Sequence, residues 1–272
     1  MPSKMSENIY PEELSQFVEG RQFTVIVEGN IGSGKSTFLD HYRNLSDFAV
    51  FQEPVDKWRD LDGHNLLELM YTDPKRHSYT FQSFVQLTMA QLHAAKTNKR
   101  IKMIERSLWS ARYVFAENLL RSKNMATSEF EVLKAWFEFL RGCPKEVDLS
   151  VDLVIYLRTS PEVAYQRLKA RARSEEKIVS LEYLQDLHNL HEKWLQQGAE
   201  VLGGGKVLVI DADKDIESVP QLYSQHEDSI FEEFDKKCSH HQKRLTEKRR
   251  NAAALTSKSF GKPLGNLSNL SI

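Results

Sequence analysis

Two cysteines in 272 residues, Cys143 and Cys238, are too few for a disulfide framework, and the count points to a reducing compartment. No apolar run approaches the roughly 20 residues that a membrane helix needs. The first 20 residues contain Glu7, Glu12, Glu13 and Glu19 and no apolar stretch. Neither a secretory signal nor an Arg-rich transit peptide is expected there. Net charge is nearly absent as well, at −1 overall. Neither a nucleic-acid nor a membrane partner is expected, and the expected location is cytoplasmic, with a mitochondrial one disfavoured.

The near-zero charge conceals an asymmetry. Residues 236–272 hold nine Lys/Arg against one acid, Glu247, so the remainder is mildly acidic. Seven of those basic residues fall between Lys236 and Arg250, and the end of the chain is rich in Ser, Asn and Gly. Such a composition buries little apolar surface, so a disordered basic tail is expected over 236–272. Its Lys/Arg clusters also fit a nuclear address. The expected organisation is a leader over 1–21, a globular unit over 22–235 and this tail.

What the sequence does contain is an alternation of strands and helices. Short apolar runs lie at 23–28, 49–53, 101–105, 153–158 and 206–211, separated by stretches with helical spacing. Leu66, Leu67, Met70 and Tyr71 fit one short helix, closed by Asp73-Pro74. Phe81, Phe84, Val85, Thr88 and Leu92 fit one face of a long helix, and Val114, Phe115 and Leu119 fit a third. Alternation of this kind predicts an α/β fold with a parallel sheet covered on both faces. Ligands of such sheets bind beyond the carboxyl ends of the strands.

The first run ends in Gly29-Asn30-Ile31-Gly32-Ser33-Gly34-Lys35-Ser36-Thr37, which matches G-x-x-x-x-G-K-[ST]. The glycines let backbone N–H groups approach phosphate oxygens, and the following helix adds its positive end. Lys35 is placed to reach the β- and γ-phosphates, and the Ser36 hydroxyl to bind Mg²⁺. A nucleoside triphosphate ligand follows, but no particular chemistry.

Two further strand ends carry charge: Glu53 before Pro54, and Glu105-Arg106-Ser107. Phosphoryl transfer needs an oriented nucleophile, a metal and cations over the transferred group. Glu53 suits a general base, Glu105 a Mg²⁺ ligand, and Arg106 a cation at the acceptor oxygen. Past the fourth strand, Arg167, Arg171 and Arg173 occupy the place of an ATP-covering lid.

The segments EGNIGSGKS, EPVDKW, ERSLWSARYVF and YLRTSPEVAYQRLKARARSEE, in that order, resemble the deoxyribonucleoside kinase family over roughly residues 22–235. Within the family they are most similar to the group of insect multisubstrate and mitochondrial thymidine kinases. The resemblance implies a P-loop kinase fold with five parallel strands, a homodimer, ATP with Mg²⁺, and a deoxyribonucleoside phosphorylated at its 5′-hydroxyl for nucleotide salvage. It implies that Glu53 is the base, with Arg106 beside the 5′-oxygen. Tyr71 and Glu176 hold the sugar 3′-hydroxyl, and Gln82 pairs with the nucleobase. Trp58, Phe81 and Phe115 form an aromatic slot around that base, with Met70 beside Tyr71. Val85 and Met89 share a helix face with Gln82, and Ala111 approaches the same pocket. In family members that favour deoxycytidine and purines, an Arg–Asp pair fills the space of Met89 and Ala111. An apolar wall here implies broad specificity with pyrimidines preferred. A nucleoside monophosphate kinase would share the P-loop and lid, but needs cations for the acceptor's own phosphate where this chain offers Glu53. A non-catalytic relative, such as the complex I accessory subunit that resembles this family, has no need of an intact Lys35, Ser36 and Glu53.

Overall fold

A computed structural model describes residues 22–173, 175–196, 205–213 and 226–240, together with 243 and 246. The expected leader and nearly all of the tail beyond 240 lie outside the described residues. Strands Phe23–Gly29 (β1), Phe48–Phe51 (β2), Ile101–Glu105 (β3), Leu153–Arg158 (β4) and Lys206–Asp211 (β5) form one sheet in the order β2-β3-β1-β4-β5. Every neighbouring pair is parallel, as the alternation predicts. β2 is shorter than expected: it ends at Phe51, leaving Gln52 and Glu53 in coil.

Parallel strands leave both sheet faces to be covered, and the period-2 alternation divides them. Along β1, Ile26 enters one core with Ile104 and Val154, whereas Val25 and Val27 enter the other with Met103 and Ile155. All seven residues of β1 are buried. The chain leaves β1 for β2 and β3 on one side and adds β4 and β5 on the other. The order therefore reverses at the carboxyl end of β1, where such sheets open a crevice.

Local chemistry fixes the helices that line this crevice. Asp73 accepts a hydrogen bond from the Arg76 N–H at 3.4 Å and Pro74 takes the first turn, so the long helix Pro74–Ala94 starts there. Ser107 and Ser110 cap each other reciprocally and start a helical rod from Leu108 to Arg121. The middle of this rod, Ala111–Ala116, is π-helical, a widening often found at functional sites.

On the opposite face the P-loop helix Lys35–Tyr42 buries Phe38, Leu39 and Tyr42. Residues 226–240 are helical and pack beside it. Ile230, Phe234 and Cys238, spaced by four, enter that core, and the Phe234 ring meets Phe23 edge-on at 5.5 Å. Burying Ile230 and Phe234 contributes about 1.5–3 kcal/mol each. Lys237 ion-pairs with Asp152, whose carboxylate side chain is 1% exposed, and Lys236 bonds Glu233 at 2.9 Å. The expected boundary after Asp235 thus falls inside a helix, and residues 236–240 belong to the folded body. Composition hid this because the basic residues sit on the solvated side while every fourth residue is apolar.

Candidate active site

At the carboxyl end of β1 the chain turns through a loop that glycine alone fits. Gly32 has φ +81°, and a Cβ there would stand 2.5 Å from the Ala164 carbonyl oxygen, on the helix Pro161–Arg171. The loop is drawn tight enough for Lys35 Nζ to donate to the Asn30 carbonyl at 2.7 Å and the Gly29 carbonyl at 3.3 Å. Burial, reinforced by the Arg106 charge, pushes the Lys35 ammonium well below its usual range. An anion over the loop would restore it.

Three strand ends meet beside this loop. Ser36 Oγ donates to Glu105 Oε1 at 2.9 Å, and the Glu53 N–H reaches Glu105 Oε2 at 3.4 Å. Arg106 Nε lies 2.9 Å from Glu53 Oε1, and its Nη1 donates to the Gly29 carbonyl at 2.9 Å. Its guanidinium lies 4.6 Å from the Phe115 ring centroid, within cation–π range. Arg106 adopts φ +61°, a conformation that a non-glycine residue keeps only when its surroundings hold it. Burial pushes the Glu53 carboxyl up, Arg106 pulls it down, and Glu105 pushes it up again.

One cavity of about 820 Å³ joins the loop to the helices, a size suited to a small-molecule site. Of the phosphate-loop residues, Ile31, Gly32, Gly34, Lys35, Ser36 and Thr37 face it, whereas Gly29, Asn30 and Ser33 shape the loop from behind. Trp58, Phe81, Gln82, Val85, Met89, Ala111 and Phe115 form its far wall, and Met70 and Tyr71 its side. The Trp58 and Phe81 rings meet edge-on at 5.6 Å, with Trp58 Nε1 held by Thr88 Oγ1 at 2.9 Å. Gln82 is buried at 4% exposure on this wall. The π-helical turn carries both Ala111 and Phe115 to the cavity.

Arg171, Arg173 and Glu176 line the cavity as well. Arg171 Nη2 bonds Glu176 Oε1 at 2.6 Å, and Arg173 Nη1 lies 3.5 Å from the same oxygen. Arg167 lines the cavity too, with Nη1 donating to the Ala212 carbonyl at 2.7 Å. Burial, then the neighbouring Tyr183 and Glu176, push the Tyr71 phenol well above its usual range.

Sequence reasoning passed over Arg59 and Tyr183 at the cavity, and Glu28, which bonds to the lining residue Ser107. Glu28, last before the loop, is fully buried and accepts from Ser107 Oγ at 2.6 Å, beneath the cap that starts the rod. Burial pushes its carboxyl up to about 7. Its position directly before the glycine motif, in a strand otherwise apolar up to that point apart from Thr24, was the available signal.

Comparison with known proteins agrees with this geometry. The profile of the deoxynucleoside kinase family matches residues 25–239. Human mitochondrial thymidine kinase 2 is 44% identical over 230 residues, 85% of each chain. The Macaca fascicularis protein of the same name is 46% identical over 211 residues, 78% of each chain. Mitochondrial deoxyguanosine kinase of Xenopus laevis is 35% identical over 219 residues, 71% of this chain and 82% of its own. The expected cytoplasmic location is overturned by these relatives: all three carry mitochondrial names, whereas the expectation rested on the lack of an Arg-rich transit composition in the first 20 residues. With the match spanning the glycine loop, Glu53, Glu105-Arg106 and Arg167, Arg171 and Arg173, this chain belongs to the deoxynucleoside kinase family and is an enzyme that phosphorylates deoxyribonucleosides.

Proposed function

We propose that ATP lies over the glycine loop and that the far wall presents a pyrimidine deoxyribonucleoside, with its 5′-hydroxyl at Glu53. The observation that carries this reading is the Arg106–Glu53 pair at 2.9 Å beside the Ser36–Glu105 pair at 2.9 Å. One pair is suited to an acceptor hydroxyl and the other to a metal-bound triphosphate.

Glu53 accepts the 5′-hydroxyl proton, and Arg106 orients that carboxylate and offsets charge at the transferred phosphoryl group. Lys35 exchanges its loop carbonyls for the β- and γ-phosphates, and Arg167, Arg171 and Arg173 cover the donor. Tyr71 and Glu176 hold the sugar 3′-hydroxyl. Gln82 offers an amide donor and acceptor to the pyrimidine edge. Met89 and Ala111 leave an apolar wall that suits the thymine methyl and makes no hydrogen-bond demand, so related rings are accepted as well. Thymidine and deoxycytidine are the favoured substrates, and nucleotide salvage is the role.

Mg²⁺ is the metal this reading requires. Among the described residues no three His, Cys, Asp or Glu cluster as a metal cage. Mg²⁺ asks instead for one or two carboxylates together with substrate phosphates, and the oxygens of Ser36 and Glu105 fit that demand. When bound with ATP it neutralises phosphate charge.

The relatives' names support a mitochondrial location for this chain. A homodimer fits the exposed apolar side chains Leu87, Val132, Trp136 and Phe139, on the helices Pro74–Ala94 and Thr127–Arg141. ATP turnover measured with deoxyribonucleosides and, separately, with their 5′-monophosphates tests the central reading. Turnover with thymidine and none with its monophosphate is expected. The reverse pattern would replace Glu53 as base by a cationic acceptor site.

A further inference from the structure

Glu175 and Glu176 open the 3₁₀ turn Glu175–Ile178, and their carboxylates serve different neighbours. Glu176 gathers Arg171 and Arg173 within the cavity. Glu175 meets Arg59 through both oxygens, Nε to Oε1 at 2.7 Å and Nη2 to Oε2 at 3.4 Å. Arg59 ends the short helix Val55–Arg59 that follows Glu53-Pro54 and carries Trp58. The pair therefore joins the segment next to the proposed base to the segment that carries the lid, across 116 residues of sequence. Its ends are unequal: the Glu175 side chain is 9% exposed and that of Arg59 31%.

We propose that Arg59 is a positioning residue: through its two-pronged grip on Glu175 it fixes the 175–178 turn so that Glu176 faces the sugar 3′-oxygen. This rests on the reading of Glu176 as a 3′-hydroxyl partner. A planar fork on both carboxylate oxygens fixes orientation as well as distance. Adjacent residues of a tight turn cannot rotate independently, so holding Glu175 holds Glu176. Arg59→Gln keeps an amide donor beside Glu175 and Glu175→Gln removes the charge that would be left unpaired, so each variant moves the Glu176 carboxylate without stranding a buried ion. A misplacement of about 1 Å at a substrate contact costs on the order of 10²-fold.

The test compares thymidine with 3′-deoxythymidine as substrates of the full chain in wild type, Arg59→Gln, Glu175→Gln, the double variant and Glu176→Gln, with a thermal melt of each. Wild type should prefer thymidine. Glu176→Gln should abolish the preference, and Arg59→Gln should cut the thymidine to 3′-deoxythymidine ratio about tenfold, through a rise in KM that is larger for thymidine. The double variant should be no worse than either single change. If Glu176→Gln collapses the preference while Arg59→Gln slows both substrates equally or neither, the positioning role is wrong. Additive losses in the double variant would also overturn it. If Glu176→Gln leaves the preference intact, the reading of Glu176 falls, and this inference falls with it.

Discussion

Arg106 Nε stands 2.9 Å from Glu53 Oε1, so the proposed base and the cation beside it are a preformed pair. The arrangement is held from three directions. The Arg106 backbone N–H donates to the Val27 carbonyl at 2.9 Å, its Nη1 donates to the Gly29 carbonyl, and its guanidinium lies over Phe115. Burial pushes the Glu53 carboxyl up and Arg106 opposes it, which suits a group that must both stay ionised and accept a proton.

Glu53→Gln keeps the shape of this pocket and removes the proton acceptor. Under saturating thymidine and ATP, kcat should fall about 10²-fold or more, while thymidine binding measured by calorimetry is retained. Near wild-type kcat would remove Glu53 from the mechanism.

Met89 and Ala111 are buried at 1% and 6% exposure on the wall shared with Gln82. Met89→Arg together with Ala111→Asp installs a charge pair where a thymine methyl would lie. We expect kcat/KM for thymidine to drop at least about tenfold and preference to move toward purine deoxyribonucleosides. An unchanged ranking would mean that the nucleobase does not reach these positions.

His191 is fully buried, with Nδ1 2.7 Å from the Leu187 carbonyl and its ring stacked on Tyr156. Burial pushes its imidazole down to about 3, and that of His93 to about 4. Below pH ~6.5 the unfolded chain binds protons that these folded imidazoles refuse. Stability therefore falls as pH drops from about 6.5, by up to about 1.4 kcal/mol per pH unit for each histidine. Glu28, raised to about 7, works in the opposite sense: its contribution is full below about 4.5 and is lost as pH rises through 7. Tm of wild type and of His191→Phe, measured from pH 7.5 to 5.0, isolates one histidine. The variant should show the flatter decline, and equal slopes would mean that His191 is protonated in the fold.

Lys237 and Cys238 make the end of the 226–240 helix part of the body. Ending the chain after Asp235 removes the cation facing the buried carboxylate of Asp152 and uncovers the sheet at Cys238. A loss on the order of 1–3 kcal/mol is expected from leaving the Asp152 carboxylate without its cation, seen as a lower Tm, with kcat/KM of the folded fraction little changed because Lys237 and Cys238 do not line the cavity. An unchanged Tm would restore the tail boundary expected from composition.

The strands and the charged residues at their ends were legible because their signals are local. β3, β4 and β5 fall where the apolar runs place them, and β1 extends one residue further, to Gly29. The glycine motif, Glu53 and Glu105-Arg106 are readable in the sequence as charge and phosphate chemistry at strand ends. Gln82, Tyr71 and Glu176 are not. Each is an ordinary helix or turn residue until tertiary packing turns it into the cavity, and only the family resemblance marked them. The strand order was also hidden, since crossovers leave no trace in periodicity. Arg59 escaped because half of its meaning lies in Glu175, far away in sequence. The helix over 226–240 escaped because charge count outweighed its sparse apolar spacing.

The most direct test of the central claim is a side-by-side measurement of kcat/KM for thymidine, deoxycytidine, deoxyadenosine and deoxyguanosine, with ATP and Mg²⁺ and with the 5′-monophosphate products identified. The pocket predicts turnover of all four, with thymidine and deoxycytidine first. Phosphorylation of deoxyguanosine much better than thymidine would contradict the assignment of the Met89–Ala111 wall, and no 5′-monophosphate from any of them would contradict the assignment of Glu53 and Arg106 as the phosphoryl-acceptor site.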